Sequence, residues 1–199
     1  MAYSDFTLDQ VRTTFGLRVS EHSDLFASAA ELTPSPWLVT YLNGSVPLAH
    51  AMNTGKARSE LIIAPVLTEL RLRFPELCSL FSGAELNADP ERGLRGYCDF
   101  IIAKSAVQHL LEAPLLLVAG AKNSDLATGY GQCAAGMMGA QYFNETRGGL
   151  PGAIFGAVTT GENWAFAKLE ATSLVLDMQA YPINRVGKIL GILRDMIGG

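Results

Sequence analysis

The first fifty residues contain short apolar stretches at helical spacing, separated by residues that begin or end helices. Thr7 and Gln10 have the spacing of a capping box, in which each side chain bonds the backbone N–H of the other residue. The short helix that they begin is expected to end near Gly16, because glycine readily takes the left-handed conformation found after helix ends.

Two further helices are predicted before position 75. Ser35 followed by Pro36 is typical of a helix start, since serine caps the first turn and proline suits the first helical position; it predicts a short helix over 37–42. Apolar residues at helical spacing over 54–73 predict one long helix. Pro65 lies inside this helix and is expected to kink it, because proline removes a backbone donor.

After position 78 the pattern changes from helical spacing to that of strands. Residues 79–89 and 95–104 predict two strands, because turn-forming residues at 89–93 separate them. The unbroken apolar run over 115–122 predicts a strand that is buried on both faces. Residues 125–143 are rich in alanine and glycine, and they predict a helix that packs closely on the sheet.

The C-terminal part continues with strands and one helix. Residues 153–160 and 163–169 predict a strand pair joined by a tight turn, and 174–177 a short strand. Residues 184–197 place apolar side chains on one helical face and predict an amphipathic C-terminal helix. The sequence of elements predicts an α/β fold with a mixed central sheet flanked by helices.

The domain organisation follows from length and from the absence of a linker in the sequence. A chain of 199 residues suits one domain with one sizeable core, so residues 1–199 are expected to form a single domain. Within it, residues 1–52 are predicted to form a helical extension packed on a core of residues 53–199.

Composition and charge narrow the functional classes. With 49% hydrophobic and 17% charged residues, the sequence is typical of a globular protein. No apolar run reaches the roughly 18 residues of a membrane span, and the first ten residues lack an apolar signal segment, so we expect a cytoplasmic protein with no membrane partner. A net charge of −4 indicates no general affinity for nucleic acid. A local basic groove remains compatible with it and could be formed by Arg71, Arg73, Arg92, Arg95, Lys104 and Lys122. The three cysteines are far apart and are expected to be buried, reduced thiols.

Three polar residues interrupt apolar segments in the second half of the chain. Asp99 lies in the strand sequence GYCDF, Lys122 ends the buried strand, and Gln132 follows in GYGQC. A Mg²⁺-dependent nuclease typically uses two carboxylates and a lysine on neighbouring strands. The carboxylates bind the ion, because hard cations prefer oxygen ligands. Alternatively, Asp99 is a structural acid, which would also require a partner.

This combination resembles the PD-(D/E)XK nuclease superfamily, and in particular a group of uncharacterised bacterial proteins of that fold, over residues 53–197. The resemblance implies a restriction-endonuclease-like fold and a DNA partner. It also implies Mg²⁺ or Mn²⁺ held by Asp99, by the backbone carbonyl of Ala121 and by Glu60 on the long helix. In the same way, Lys122 would steady the nucleophile or the developing charge, and Gln132 would lie beside the phosphate.

Gly120 departs from this pattern, because the family has the glutamate of Glu-x-Lys at this position. Glycine has no side chain and supplies no ligand. The loss of one of two carboxylates should weaken ion binding by roughly several kcal/mol. A substitute would have to come from Asp125, Glu145 or Glu85, none of which has the expected spacing.

Two functional hypotheses therefore remain open, as does the question of whether the chain is an enzyme. In the first, the protein has a degenerate metal site with impaired or absent catalysis and retains nucleic-acid binding or a scaffold role. The alternative is an active Mg²⁺-dependent DNA endonuclease that uses Asp99 and Lys122 with a substitute carboxylate. The oligomeric state is also open, with a homodimer among the alternatives.

Overall fold

A mixed β-sheet forms the centre of the protein in the computed structural model. The structure describes residues 1–121, 126–149 and 152–198, and for 117–119 and 121 it describes the backbone alone. The described strands form one sheet in the order β1-β7-β6-β5-β4-β3-β2, with β8 paired to β6. The strands are β1 (Arg18–His22), β2 (Ser79–Glu85), β3 (Tyr97–Ala103), β4 (Leu115–Ala121), β5 (Ile154–Thr159), β6 (Asn163–Glu170), β7 (Ser173–Asp177) and β8 (Tyr181–Pro182).

The sheet contains parallel and antiparallel pairs, which confirms the predicted mixed α/β architecture. β1 is parallel to β7, and β4 is parallel to β5. The other pairs are antiparallel. The helices are α1 (Leu8–Phe15), α2 (Pro36–Met52), α3 (Gly55–Arg58), α4 (Ala64–Arg73), α5 (Gly129–Thr146) and α6 (Val186–Gly198).

Helices cover both faces of the sheet, so the apolar core has two parts. Successive residues of a strand point to opposite faces, and β3 accordingly sends Phe100 and Ile102 to one part and Ile101 and Ala103 to the other. On the first face α2, α4 and α6 pack against the sheet, with Leu38, Leu67 and Leu193 among the buried residues. On the second face α1 and α5 supply Val11, Met137 and Ala140.

The predicted capping box is confirmed. The backbone N–H of Gln10 donates to Thr7 Oγ1 at 3.2 Å, and the N–H of Thr7 donates to Gln10 Oε1 at 2.8 Å. The helix ends at Gly16, whose φ of 65° lies in the left-handed region. Both helix ends were therefore readable from local sequence.

The second helix begins as predicted but is much longer than 37–42. Ser35 Oγ accepts a hydrogen bond from the N–H of Leu38 at 3.1 Å, and the helix then runs 17 residues to Met52. It continues through Gly44 and Pro47, which are unfavourable inside helices, because one side of it is buried along its whole length.

The predicted single helix over 54–73 is confirmed, with a change of winding in the middle. α3 continues into a π-helical turn, Ser59–Ile63, and then into α4. Pro65 follows this turn and has no N–H to donate to the carbonyl of Leu61, so the regular hydrogen-bond ladder cannot pass through it. The N–H of Ala64 instead reaches back five residues to the carbonyl of Ser59.

The predicted strands and the C-terminal helix are present, with ends shifted by a few residues, but two strands were missed. β1 lies within residues 1–52, so the N-terminal segment is not purely helical as expected; it adds an edge strand to the sheet. Four of the five β1 residues are exposed, so no apolar alternation marks the strand in the sequence. β8 has only two residues.

Two glycines of α5 give the N-terminal residues room to pack on this helix, whereas the sequence predicted a close approach to the sheet. A Cβ at Gly131 would collide with the backbone of Phe6 and Thr7, and one at Gly139 would collide with the Tyr3 side chain. Gly44 in α2 is the opposite case, because a Cβ there would meet nothing within 4 Å.

Cys78, Cys98 and Cys133 are all buried and free, as predicted. Within the described residues, no helix is long and apolar enough to cross a membrane.

The glycine contacts generate a paired prediction. Gly131→Ala should lower the free energy of unfolding by about 1–3 kcal/mol, because the added methyl forces two backbones apart. Gly44→Ala should raise it by up to about 1 kcal/mol, because alanine is the better helix former and has free space there. Guanidinium unfolding of both variants measures the difference; equal effects would contradict the close approach at Gly131.

Candidate cation site

A cleft of about 420 Å³ lies between the long helix and the β2–β3 edge of the sheet. It brings together two of the predicted site residues, Glu60 and Asp99, although 39 positions separate them in the sequence. The lining residues are Gly55, Lys56, Ser59, Glu60, Ser82, Gly83 and Asp99.

The π-helical turn presents Glu60 to this cleft. Glu60 is its second residue, and Pro65 explains why the turn widens at this place. Single π-turns inside α-helices are found frequently at functional sites. Glu60 Oε1 lies 2.8 Å from Lys56 Nζ, one turn earlier, and both side chains are well exposed. In water an exposed pair of this kind contributes little to stability, so a cation can compete with the lysine for the carboxylate.

Asp99 reaches the cleft from β3, where its side chain is half-buried. The β2–β3 register pairs Ser82 with Phe100 and Ala84 with Cys98, and so places Gly83 opposite Asp99. Gly83 has a φ of 62°, which favours glycine, and it has no side chain to cover its neighbour. The edge strand thereby leaves the cleft open beside Asp99.

Gly120, where the resemblance leads one to expect a glutamate, lies beside Asp99 on the next strand. The β3–β4 register pairs Phe100 with Ala119, and its continuation by one residue places Gly120 opposite Asp99. A Cβ at Gly120 would lie 3.9 Å from Asp99 Oδ2 and, apart from its chain neighbours, would have no other described atom within 4 Å. The position therefore has room for a side chain that starts next to the Asp99 carboxylate.

The structure describes the other predicted site residues only in part. Lys122 lies outside the described residues, so its juxtaposition with Asp99 stays a prediction. The backbone of Ala121 is described and continues β4, opposite Thr159 of β5. Gln132 lies in the first turn of α5, as predicted, and is half-buried, but it does not line the cleft.

The substitute carboxylates considered from sequence are not near this cleft where the structure describes them. Glu145 lies at the far end of α5 and lines a separate cavity of about 380 Å³. Glu85 is exposed at the end of β2, opposite Tyr97, and does not line the cleft. Asp125 lies outside the described residues. Of the residues that the structure describes, Glu60 is therefore the carboxylate that shares the cleft with Asp99.

The donor set is sparse for a divalent cation. Among the described residues, no group of three His, Cys, Asp or Glu side chains is close enough to hold a metal ion. Two carboxylates fit Mg²⁺ chemically, because Mg²⁺ often uses one or two carboxylates and completes its octahedron with water. Burial, and secondarily the charge of Asp99, raises the pKa of Cys98 to about 12, so this neighbouring sulfur remains a thiol and is a poor ligand.

Three of the basic residues that the sequence suggested for a groove, Arg71, Arg73 and Arg92, do not lie on one face of the sheet. Arg71 and Arg73 belong to α4, on the first face of the sheet. Arg92 stacks over Tyr142 of α5, with 5.2 Å between the guanidinium carbon and the ring centre, on the second face. It also forms an ion pair with Asp89. These arginines are held by local partners and do not line the cleft.

The sequence reading did not identify Lys56 or the serines Ser59 and Ser82 as residues of the site. The proximity of Lys56 to Glu60 could have been predicted, because a lysine four residues before a glutamate lies on the same helical face. The serines had none, because their role depends on how β2 and the long helix approach one another.

Comparisons with known proteins add no relative. No protein-family model, no curated protein and no solved structure matches this chain.

Proposed function

We propose that this protein is a PD-(D/E)XK-like, restriction-endonuclease-type chain whose cation cleft lacks one acid, so that it binds a divalent cation weakly and has impaired or no nuclease activity. The observation that carries the proposal is the position of Gly120. Its missing side chain would start 3.9 Å from Asp99 Oδ2, which is where the resemblance calls for a second carboxylate.

The strand arrangement supports the same proposal. The resemblance requires an aspartate on one strand and the Glu-x-Lys segment on its neighbour. β3 carries Asp99, and the neighbouring β4 carries Gly120, followed by Ala121 and then Lys122. Glu60 on the long helix shares a cleft with Asp99, as the same resemblance implies.

The charge of the cleft affects whether a phosphodiester can bind there. Its described lining holds two carboxylates, Glu60 and Asp99, and one lysine, Lys56. Without a cation, this net negative lining repels a phosphodiester, whereas a bound Mg²⁺ or Mn²⁺ reverses the local charge. We therefore propose that nucleic acid, and DNA in particular, binds this cleft through the cation.

The second candidate function is an active Mg²⁺-dependent DNA endonuclease. One observation favours it: Glu60 lies in the cleft with Asp99, so one carboxylate is already available from the helix. In this alternative Glu60 and Asp99 hold the ion, and Lys122 steadies the developing charge. The two candidates differ in rate rather than in the location of the site.

Restoring the acid should restore the cation site. Gly120→Glu should increase Mn²⁺ affinity at least tenfold by isothermal calorimetry, about 1.4 kcal/mol, because it adds a second carboxylate beside Asp99. Gly120→Gln is the matched control, with the same size and no charge, and should leave the affinity near the wild-type value. Equal affinities of the two variants would contradict the proposed site.

The cleavage rate distinguishes the two candidate functions. With Mn²⁺ and supercoiled DNA, the wild-type chain should show slow or no cleavage, because one ligand is missing. Robust cleavage that is lost in Asp99→Asn and in Glu60→Gln would instead establish the active endonuclease. Cleavage that survives both substitutions would place the activity elsewhere and refute both candidates.

DNA binding should depend on the cation. Fluorescence anisotropy with a labelled duplex should show tighter binding in Mn²⁺ than in EDTA at constant ionic strength, because the ion neutralises the cleft. Asp99→Asn should remove most of the Mn²⁺-dependent increase, whereas Asp9→Asn, an exposed acid on α1, should preserve it. An equal loss in both variants would indicate general charge effects rather than a cleft.

A further inference from the structure

Helix α2 carries an exposed apolar stripe that no part of the described chain covers. Trp37, Leu48 and Met52 are 49%, 48% and 53% exposed. Tyr41 is partly exposed and stacks on Trp37, with 5.5 Å between ring centres. Gly44 lies between the aromatic and the aliphatic pair and has open space where a Cβ would be. We call these five residues the α2 stripe.

The α2 stripe is a continuous strip of the helix surface. At 100° per residue, its members fall within one sector of roughly 80° that runs the full length of the helix. The residues that face the core, Leu38, Leu42, Ser45 and Ala49, occupy a different sector. The helix is therefore apolar on two sides, and the fold of one chain buries only one of them.

The chemistry of the α2 stripe limits what can cover it. The 17 residues of α2 include no Asp, Glu, Lys or Arg. His50 lies on the opposite flank and pairs with Glu162 at 2.8 Å. A nucleic acid, a charged peptide or an anionic lipid surface would find no complementary charge here. A second neutral, apolar helix suits the surface.

We propose that the α2 stripe binds the α2 stripe of a second copy of this chain, with the two helices antiparallel. The stripe is nearly symmetric about the midpoint between Gly44 and Ser45. In an antiparallel pair centred there, Trp37 meets Met52 of the partner and Tyr41 meets Leu48 of the partner. Each aromatic side chain thus faces a flexible aliphatic one, and the contact is repeated by the two-fold axis.

Gly44 gives the proposed contact its closest approach. At the centre of the stripe, the missing side chain lets the two helix backbones come near each other, so the flanking side chains can interlock. The same glycine is unfavourable in the isolated chain, where it is exposed inside a helix and an added Cβ would meet no described atom within 4 Å. A contact with a second helix explains both its position and its exposure.

The contact is a small one. One pair of helices about 25 Å long buries less surface than a typical permanent dimer, so we expect self-association at micromolar rather than nanomolar concentration. This inference rests on α2 and is independent of the cation cleft.

Sedimentation velocity over a concentration series tests the dimer. The wild-type chain should shift from the 21.3 kDa monomer to a dimer as its concentration rises into the tens to hundreds of micromolar. Leu48→Lys should weaken the dimer at least tenfold. Leu72→Lys is the matched control, because Leu72 is a more exposed leucine, at 67%, on α4, and it should leave association unchanged. A wild-type monomer at every concentration, or equal loss in both variants, would overturn the proposal.

Cross-linking tests the antiparallel register. An oxidised mixture of Trp37→Cys and Met52→Cys chains should form the mixed disulfide, since these positions face each other across the pair. Trp37→Cys alone should not link to itself, because its two copies would lie about 22 Å apart along the helices. The native cysteines are buried and do not interfere. Self-linking of Trp37→Cys without the mixed product would overturn the antiparallel arrangement.

Gly44 separates a role in association from a role in folding. Gly44→Met should raise the dimer dissociation constant at least tenfold, while the monomer remains as stable as wild type or more so. If Gly44 were needed only for folding, the variant would lose stability instead, and an unchanged dissociation constant would overturn the close approach.

Binding of the wild-type chain to neutral vesicles, with no dimer in solution, would assign the stripe to a lipid surface and refute the proposal.

Discussion

The antiparallel register between β3 and β4 fixes the geometry on which the candidate site depends. It places Phe100 opposite Ala119 and so brings Gly120 beside Asp99. A slip of one residue would send every side chain of one strand to the other face of the sheet. Because both strands lie between other strands and contribute to buried clusters on both faces, such a slip would expose core residues. The packing of the core therefore maintains the position of the Asp99 carboxylate.

In the long helix, too, a structural constraint affects the position of a site residue. Pro65 interrupts the regular hydrogen-bond ladder, and the chain adapts with a π-helical turn that contains Glu60. A turn with one extra residue rotates the following helix relative to the preceding one. Glu60 can then face the β2–β3 edge while Ile62 and Leu67 remain buried on the same helix. The proline is thus compatible with both the core and the cleft.

Glycine has three different roles in this molecule. In α5 it removes side chains that would collide with the N-terminal segment, and at Gly83 it permits a backbone conformation that leaves Asp99 uncovered. At Gly120 it leaves unfilled a position where nothing in the described chain requires a small residue. The packing of the described residues explains the first two and gives no reason for the third, so it does not by itself require a glycine at position 120.

Features whose causes lie within a few residues could be predicted from the amino-acid sequence. The Thr7–Gln10 capping box, the helix start at Ser35, the long helix around Pro65 and most strands were readable, because caps, prolines and apolar periods act locally. The sequence did not determine β1, whose residue Arg18 pairs with Ser173, because an exposed edge strand carries no apolar alternation. Nor did it determine that α2 continues to Met52, or that Lys56 and Ser82 line the cleft. Those features depend on contacts between segments distant in sequence, and only the tertiary structure brings such segments together.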